Sequence, residues 1–91
     1  MTRAYRRIAR PTLPGIELSE HDNLSRALYV MRQQAVGIRR ALKAATGRGS
    51  PPSQAATALV EAVRSLQQAL LAEVETAYGQ DTPAAIRTRY S

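Results

Sequence analysis

The chain has 91 residues, enough for one small domain in which a single core is marginal and self-association commonly supplies further burial. Cysteine, tryptophan and phenylalanine are absent, which excludes a disulfide framework and a thiolate metal site and leaves aliphatic side chains to build the core. A net charge of +6 is compatible with an anionic partner. Without an apolar run of membrane-spanning length, we expect no membrane partner and a cytoplasmic location.

Residues 1–18 are predicted to form a basic extended arm. Pro11 and Pro14 oppose a continuous helix there, because the residue before a proline is pushed towards extended geometry. Two interpretations of the arm stay open: a solvated tail, or a segment that contacts nucleic acid. Its basic residues are Arg3, Arg6, Arg7 and Arg10.

The first helix is predicted over about residues 19–46, with Ser19 as its cap and Gly47 as its stop. His21, the single histidine, lies in its first turn and is expected at the surface, because it lacks the second ligand or nucleophile that a metal site or catalytic triad needs. Apolar residues at alternating spacings of four and three predict a buried seam along this helix. They are Leu24, Leu28, Met31, Ala35, Ile38, Leu42 and Ala45.

Four basic residues gather at the end of this first helix. They are Arg39, Arg40, Lys43 and Arg48. The helix dipole favours cations at a C-terminus, so the cluster has a structural explanation that weighs as much as contact with phosphates.

The second helix is predicted over about residues 53–78, after a turn over residues 47–52. Ser50 or Ser53 can cap it, and a proline in its first turn costs no hydrogen bond. Gly79 ends it, and residues 80–91 follow as a basic C-terminal tail with about one helical turn. Its predicted seam is Ala56, Leu59, Val63, Leu66 and Leu70.

The short connection between two long helices predicts an all-α, antiparallel two-helix hairpin. In that register Arg39 approaches Glu61, and Arg26 approaches Glu73 or Glu75. Both helices carry a second apolar stripe that one neighbour does not cover, so we expect a homodimer that forms a four-helix bundle. The predicted protein interface comprises Tyr29, Val30, Val36, Gly37, Val60, Leu71, Val74 and Tyr78.

Catalysis is not expected, because the chain has no G-x-G-x-x-G, no phosphate-binding G-x-x-x-x-G-K-[ST] loop and no H-E-x-x-H. The carboxylates Glu61, Glu73 and Glu75 lack the Glu-x-x-His pattern of di-iron bundles. We therefore predict a protein that is not an enzyme and that binds neither cofactor nor metal.

Two functions remain open. The first is a small accessory protein that binds DNA or RNA mainly through phosphates; its candidate residues are Arg3, Arg6, Arg7, Arg10, Arg39, Arg40, Lys43 and Arg48. The second is an adaptor, chaperone or inhibitor that binds a heterologous protein partner through its apolar stripes. A purely structural assembly subunit is a third, weaker option.

In general layout the predicted hairpin resembles the WXG100 secreted proteins. Their turn carries Trp-x-Gly, whereas residues 46–49 here read Thr-Gly-Arg-Gly. Their C-terminal Tyr-x-x-x-Asp/Glu is also unmatched, because Tyr78 is followed by Asp81 after only two intervening residues. The resemblance therefore concerns the layout alone, and it implies a protein-binding hairpin.

Overall fold

The computed structural model describes residues 15–91 and consists of helices. The helices are α1 (Leu18–Thr46), α2 (Pro51–Tyr78) and α3 (Ala84–Tyr90), and a 3₁₀ turn (Gly79–Asp81) joins α2 to α3. No strand occurs within this range, so the all-α prediction is confirmed for it. None of these helices is long and apolar enough to cross a bilayer. The four arginines of the predicted arm lie outside the described residues.

The start of α1 differs from the prediction by a short distance. The helix begins at Leu18, and Glu17 rather than Ser19 is its N-cap. The Glu20 carboxylate accepts a hydrogen bond from the Glu17 backbone N–H at 3.1 Å, as in a capping box formed by Glu17 and Glu20. Gly47 ends the helix with φ +91°, as predicted, and its N–H donates to the Lys43 carbonyl.

The turn between α1 and α2 is held by hydroxyl groups. The Ser50 hydroxyl accepts the Ser53 backbone N–H at 3.2 Å, which confirms Ser50 as the cap of α2. The Thr46 and Ser50 hydroxyls lie 2.6 Å apart, so the end of α1 is tied to the start of α2. Pro51 occupies the first helical position, where no backbone donor is needed.

The two long helices run antiparallel. Arg32 of α1 donates to Gln67 of α2 at 3.3 Å, and His21 near the start of α1 contacts Glu73 near the end of α2. The charge pairs expected from this register are wrong, however. Arg26 pairs with Asp22 on its own helix at 3.2 Å, and no acidic group of the described residues lies within ion-pair distance of Arg39.

The core lies at the pole where α1 begins and α2 ends, because α3 folds back onto both helices there. Ile86 and Tyr90 of α3 are buried against Leu28 of α1 and Val74 of α2. The tail is predicted to contribute about one helical turn. It is instead a seven-residue helix that supplies two of the core side chains.

Docking of α3 changes which side chains the hairpin buries. On α1 the buried row is His21, Ser25, Leu28 and Ala35. Half of the predicted seam is therefore wrong: five of its large residues are 38–50% exposed, namely Leu24, Met31, Ile38, Leu59 and Leu66. Instead, the row of α1 that includes the polar side chains of His21 and Ser25 faces α2 and α3.

The second apolar stripe divides between the two helices. Val60 and Val74 are buried, and Leu71 and Tyr78 pack partly buried against the core, so the α2 half of the predicted interface lies inside the chain. On α1 the stripe stays at the surface. Tyr29 is 48% and Val30 is 53% exposed, Gly37 is exposed and Val36 is half-buried.

A substitution at Gly37 changes the helix propensity of α1 without disturbing a contact, because a Cβ built there meets no atom within 4 Å. We expect Gly37→Ala to raise the free energy of unfolding by about 0.5–1 kcal/mol, because alanine loses less backbone entropy in a helix. Gly47→Ala is the matched control and should lower stability by about 1–3 kcal/mol, since its φ of +91° and ψ of 153° belong to a region essentially restricted to glycine. Urea unfolding followed by circular dichroism measures both. Destabilisation by Gly37→Ala would indicate a neighbour at that position.

Candidate functional site

A buried polar network joins all three helices at the pole. His21 is fully buried; its Nδ1 lies 2.7 Å from the Tyr90 hydroxyl and its Nε2 lies 3.0 Å from the Glu73 carboxylate. When Nε2–H donates to the carboxylate, the neutral ring accepts the Tyr90 hydroxyl proton at Nδ1. The two rings also meet edge to face, with centroids 5.5 Å apart. Both ring nitrogens are thereby satisfied.

The prediction that His21 lies at the surface is wrong. Its partner Tyr90 is 69 residues away in the sequence, and the two meet only because α3 returns to the start of α1. A lone histidine between acidic residues gives no signal of this contact. The network ties α3 to α1 and α2, and we call it the clasp.

Arginines of α3 are also held at this pole. Arg89 donates to the Asp22 carboxylate at 2.6 Å and to the Ser25 hydroxyl, and Arg87 donates to Glu75 at 2.9 Å. These contacts with Arg89, and the nearby charge of Arg26, lower the pKa of Asp22 below its ordinary value. The C-terminal arginines are therefore paired within the chain and offer little charge to another molecule.

Cationic side chains without an Asp or Glu partner lie along one flank of the hairpin, which we call the cationic face. Its members are Arg32, Arg39, Arg40, Lys43 and Arg64. No Asp or Glu side chain of the described residues lies within 4 Å of any of them. Arg48, in the turn after α1, is exposed.

Helix periodicity places these residues on one flank. Arg40 and Lys43 follow Asp22 and Ser25 by about five full turns each, so they share the flank that Arg89 of α3 contacts further along. The cationic face thus continues along the hairpin from the place where α3 ends. Three of its five members were predicted from the sequence, whereas Arg32 and Arg64 were not.

Arg32 and Arg64 come from different helices and line one cavity of 240 Å³, together with Gln67, Leu71 and Tyr90. Gln67 is buried; it accepts from Arg32 and donates to the Arg89 carbonyl, so it holds the Arg32 guanidinium in place. Arg32 also donates to the Ser91 carbonyl at 3.0 Å. The sequence does not distinguish these two arginines from solvated ones, because their convergence depends on the pairing of α1 with α2.

On the opposite flank, twelve exposed residues without charge follow one another at spacings of three and four, and we call them the apolar face. On α2, large and small side chains alternate along this face. On α1 its residues are Leu24, Ala27, Met31, Gln34, Ile38, Ala41 and Ala45, and on α2 they are Ala55, Leu59, Ala62, Leu66 and Ala69. All twelve are exposed. Glu73, which is bonded to His21, follows at the end of the α2 row.

Within residues 15–91 no three His, Asp or Glu side chains are grouped so that they could hold a metal ion. Comparisons of the chain with protein-family models, with curated proteins and with solved structures give no match. The cationic face and the apolar face are therefore the candidate functional surfaces of the described residues.

The clasp predicts the cost of losing one hydroxyl. Tyr90→Phe leaves the buried His21 Nδ1 without its partner, so we expect the free energy of unfolding to fall by about 1–3 kcal/mol. Tyr29→Phe, at an exposed position, is the control and should change it by less than about 0.5 kcal/mol.

Alkaline titration tests the same group. Burial, and secondarily the Glu73 charge, raise the pKa of Tyr90, so the unfolded chain loses this proton before the folded one and stability should fall as the pH rises above 10. Tyr90→Phe should lose this component of the pH dependence in denaturant unfolding. An unchanged alkaline profile would contradict the burial of this hydroxyl.

Acid titration tests the other polar contact at the pole. The folded pKa of Asp22 lies below its ordinary 3.8, so its contribution to stability is complete above that pH and is lost as the pH falls through the lowered value. Asp22→Asn should therefore weaken the acid dependence of unfolding. Asp81→Asn, which removes an exposed carboxylate without an ion pair among the described residues, should leave that dependence nearly unchanged.

Proposed function

We propose that the protein is a non-enzymatic accessory protein that binds DNA or RNA through phosphates, with the cationic face as its contact surface. The observation that supports this most is the separation of charge. Five cations without an Asp or Glu partner lie on one flank of the hairpin, whereas the twelve residues of the apolar face carry no charge.

The chemistry of the cationic face suits a polyanion. Four of its five members are arginines, whose planar guanidinium groups can donate two parallel hydrogen bonds to a phosphate. From Arg32 to Lys43 the row is about 16 Å long at the helical rise of 1.5 Å per residue, so it can reach several phosphates of one strand. Contacts of this kind position a protein on nucleic acid without reading its sequence.

The rigidity of the row also supports the proposal. Arg32 is fixed by Gln67 and by the Ser91 carbonyl, so less side-chain entropy is lost when it binds an anion. A cytoplasmic location belongs to the same proposal, because that is where the protein would meet nucleic acid. The arginines at positions 3, 6, 7 and 10 would add further phosphate contacts.

We also propose that the functional unit is a homodimer in which two apolar faces pack together as a four-helix bundle. The face is about 30 Å long and 20 Å wide, on the order of 600 Å² per copy, which meets the lower limit for a stable interface. Its alanines leave room between the large side chains, so a Leu or Met of one copy fits over an alanine of the other. Because the face contains no charged residue, no charge loses its hydration when two copies pack together.

A second candidate function uses the same apolar face. The exposure of Leu59 and Leu66 would also suit an adaptor, chaperone or inhibitor that binds a heterologous helix. The light-scattering mass separates the two candidates: a homodimer has twice the 9.9 kDa of the chain, whereas an adaptor with a free face stays monomeric until its partner is added.

Two substitutions, one on the cationic face and one beside it, are expected to change the affinity for nucleic acid in opposite directions. Arg64→Gln should weaken binding to a duplex and reduce the slope of log affinity against log salt by about 0.9, the loss of one phosphate contact. Glu61→Gln should strengthen binding, because Glu61 lies two turns before Gln68, which lines the cavity with Arg64, and its exposed carboxylate repels phosphates. Fluorescence anisotropy with a labelled DNA duplex at several salt concentrations measures both.

Gln80→Glu is the matched control. It changes the net charge by the same amount as Arg64→Gln, but at an exposed residue of the pole away from the cationic face. It should leave the affinity and the salt slope close to those of the wild type. Equal losses in Arg64→Gln and Gln80→Glu would mean that only the total charge matters, and no detectable binding at low salt would overturn the proposed function.

A further inference from the structure

We infer that the protein bridges two separate nucleic-acid segments, because the packing of two apolar faces directs the two cationic faces away from each other. This inference rests on the proposed function and on the homodimer. It adds that one dimer holds two duplexes rather than clamping one.

On a single helix, the apolar and cationic faces point in nearly opposite directions. On α1, Ile38 and Arg40 are two residues apart, and at about 100° per residue they point about 160° apart around the helix axis. On α2, Leu66 and Arg64 have the same spacing and the same divergence, and the antiparallel pairing puts both apolar residues on one flank. A hairpin is one helix layer thick, so its apolar and cationic faces lie on opposite surfaces of that layer.

The short helix α3 covers only one of the two flanks. Arg89 contacts Asp22 and Ser25, and Gln67 donates to the Arg89 carbonyl, so α3 lies on the cationic flank. The apolar flank has no such cover, since Met31, Ile38 and Leu59 are each close to half exposed. Within residues 15–91, α3 therefore leaves open the apolar face, whose twelve residues carry no charge, and the same face of a second copy fits it.

Packing of the two apolar faces determines where the cationic faces lie in the dimer. Helix layers pack about 8–10 Å apart, so two hairpins joined through their apolar faces present cationic faces on opposite sides of a body about 20 Å thick. A duplex has a persistence length of about 50 nm and does not bend around an object of that size at low cost. One duplex therefore reaches one cationic face, and the other face stays open for a second duplex.

The experiment uses two DNA duplexes of the same sequence, one biotinylated and held on streptavidin beads and the other labelled with a fluorophore. The wild-type chain is expected to retain the labelled duplex on the beads at low salt. Retention should rise and then fall as protein is added, because excess dimer occupies each duplex separately. Anisotropy with the labelled duplex alone measures binding in parallel.

Leu66→Asp is the variant that should separate binding from bridging. It places a carboxylate in the apolar face, so its light-scattering mass should fall to 9.9 kDa and retention of the second duplex should fall at least tenfold while single-duplex binding persists. Ser65→Asp is the matched control: it adds the same charge at the neighbouring exposed position, outside the apolar face, and should retain the second duplex like the wild type. Circular dichroism verifies that both variants keep their helices.

The outcomes are distinct. Wild-type chain that binds a duplex but retains no second one at any protein concentration overturns the bridging inference and leaves the proposed function standing. Wild-type chain that binds no duplex overturns the proposed function itself. Equal retention by the wild type, Leu66→Asp and Ser65→Asp also overturns the inference, because bridging would then be a property of any basic chain and not of the dimer.

Discussion

The hydrogen bond between the Tyr90 hydroxyl and His21 Nδ1 is the contact on which the arrangement of the helices depends. It joins the last turn of α3 to the first turn of α1, and Glu73 of α2 completes it from the other side of the ring. A buried imidazole without partners would destabilise the fold, so the ring requires both neighbours at once. α3 is thereby held against both long helices, and Ile86 is carried into the core with it.

This contact also fixes the rotation of α1 about its own axis. With His21 and Ser25 turned inward, Leu24 and Met31 stay partly exposed, because around the helix axis they lie about 100° and about 120° from Ser25. The fold gives up the burial of several large side chains, each worth about 1.5–3 kcal/mol, in exchange for a satisfied polar row and the core contacts of α3. A second copy would recover part of that burial.

The sequence predicted those features that depend on neighbouring residues. Gly47, Ser50 and Gly79 end or begin helices through local backbone chemistry, and the length of the connection predicted the hairpin. The side of each helix that faces inward was not predictable from spacing alone. Leu28, Ala35 and Val63 fit both the predicted seam and the real core, and only the contact between Tyr90 and His21 decides between the two rows.

The same limit applies to the charged residues. Arg39, Arg40 and Lys43 form a cluster that the sequence already displays, whereas Arg64 joins them only through the pairing of α1 with α2. The α3 arginines resemble the others in the sequence, yet Arg87 and Arg89 are paired with acids.

The distribution of arginine bears more on function than its number. A compositional preference for arginine would place it on every exposed surface of the hairpin, including the alanine positions that alternate with Leu59 and Leu66. Those positions hold Ala55, Ala62 and Ala69, each exposed and each free to accept a long charged side chain without loss of packing within the chain. Charge is therefore absent from the twelve positions of the apolar face, and cations are concentrated on the other flank. A surface that packs against an apolar partner and a surface that binds an anion require this division, and a merely soluble hairpin does not.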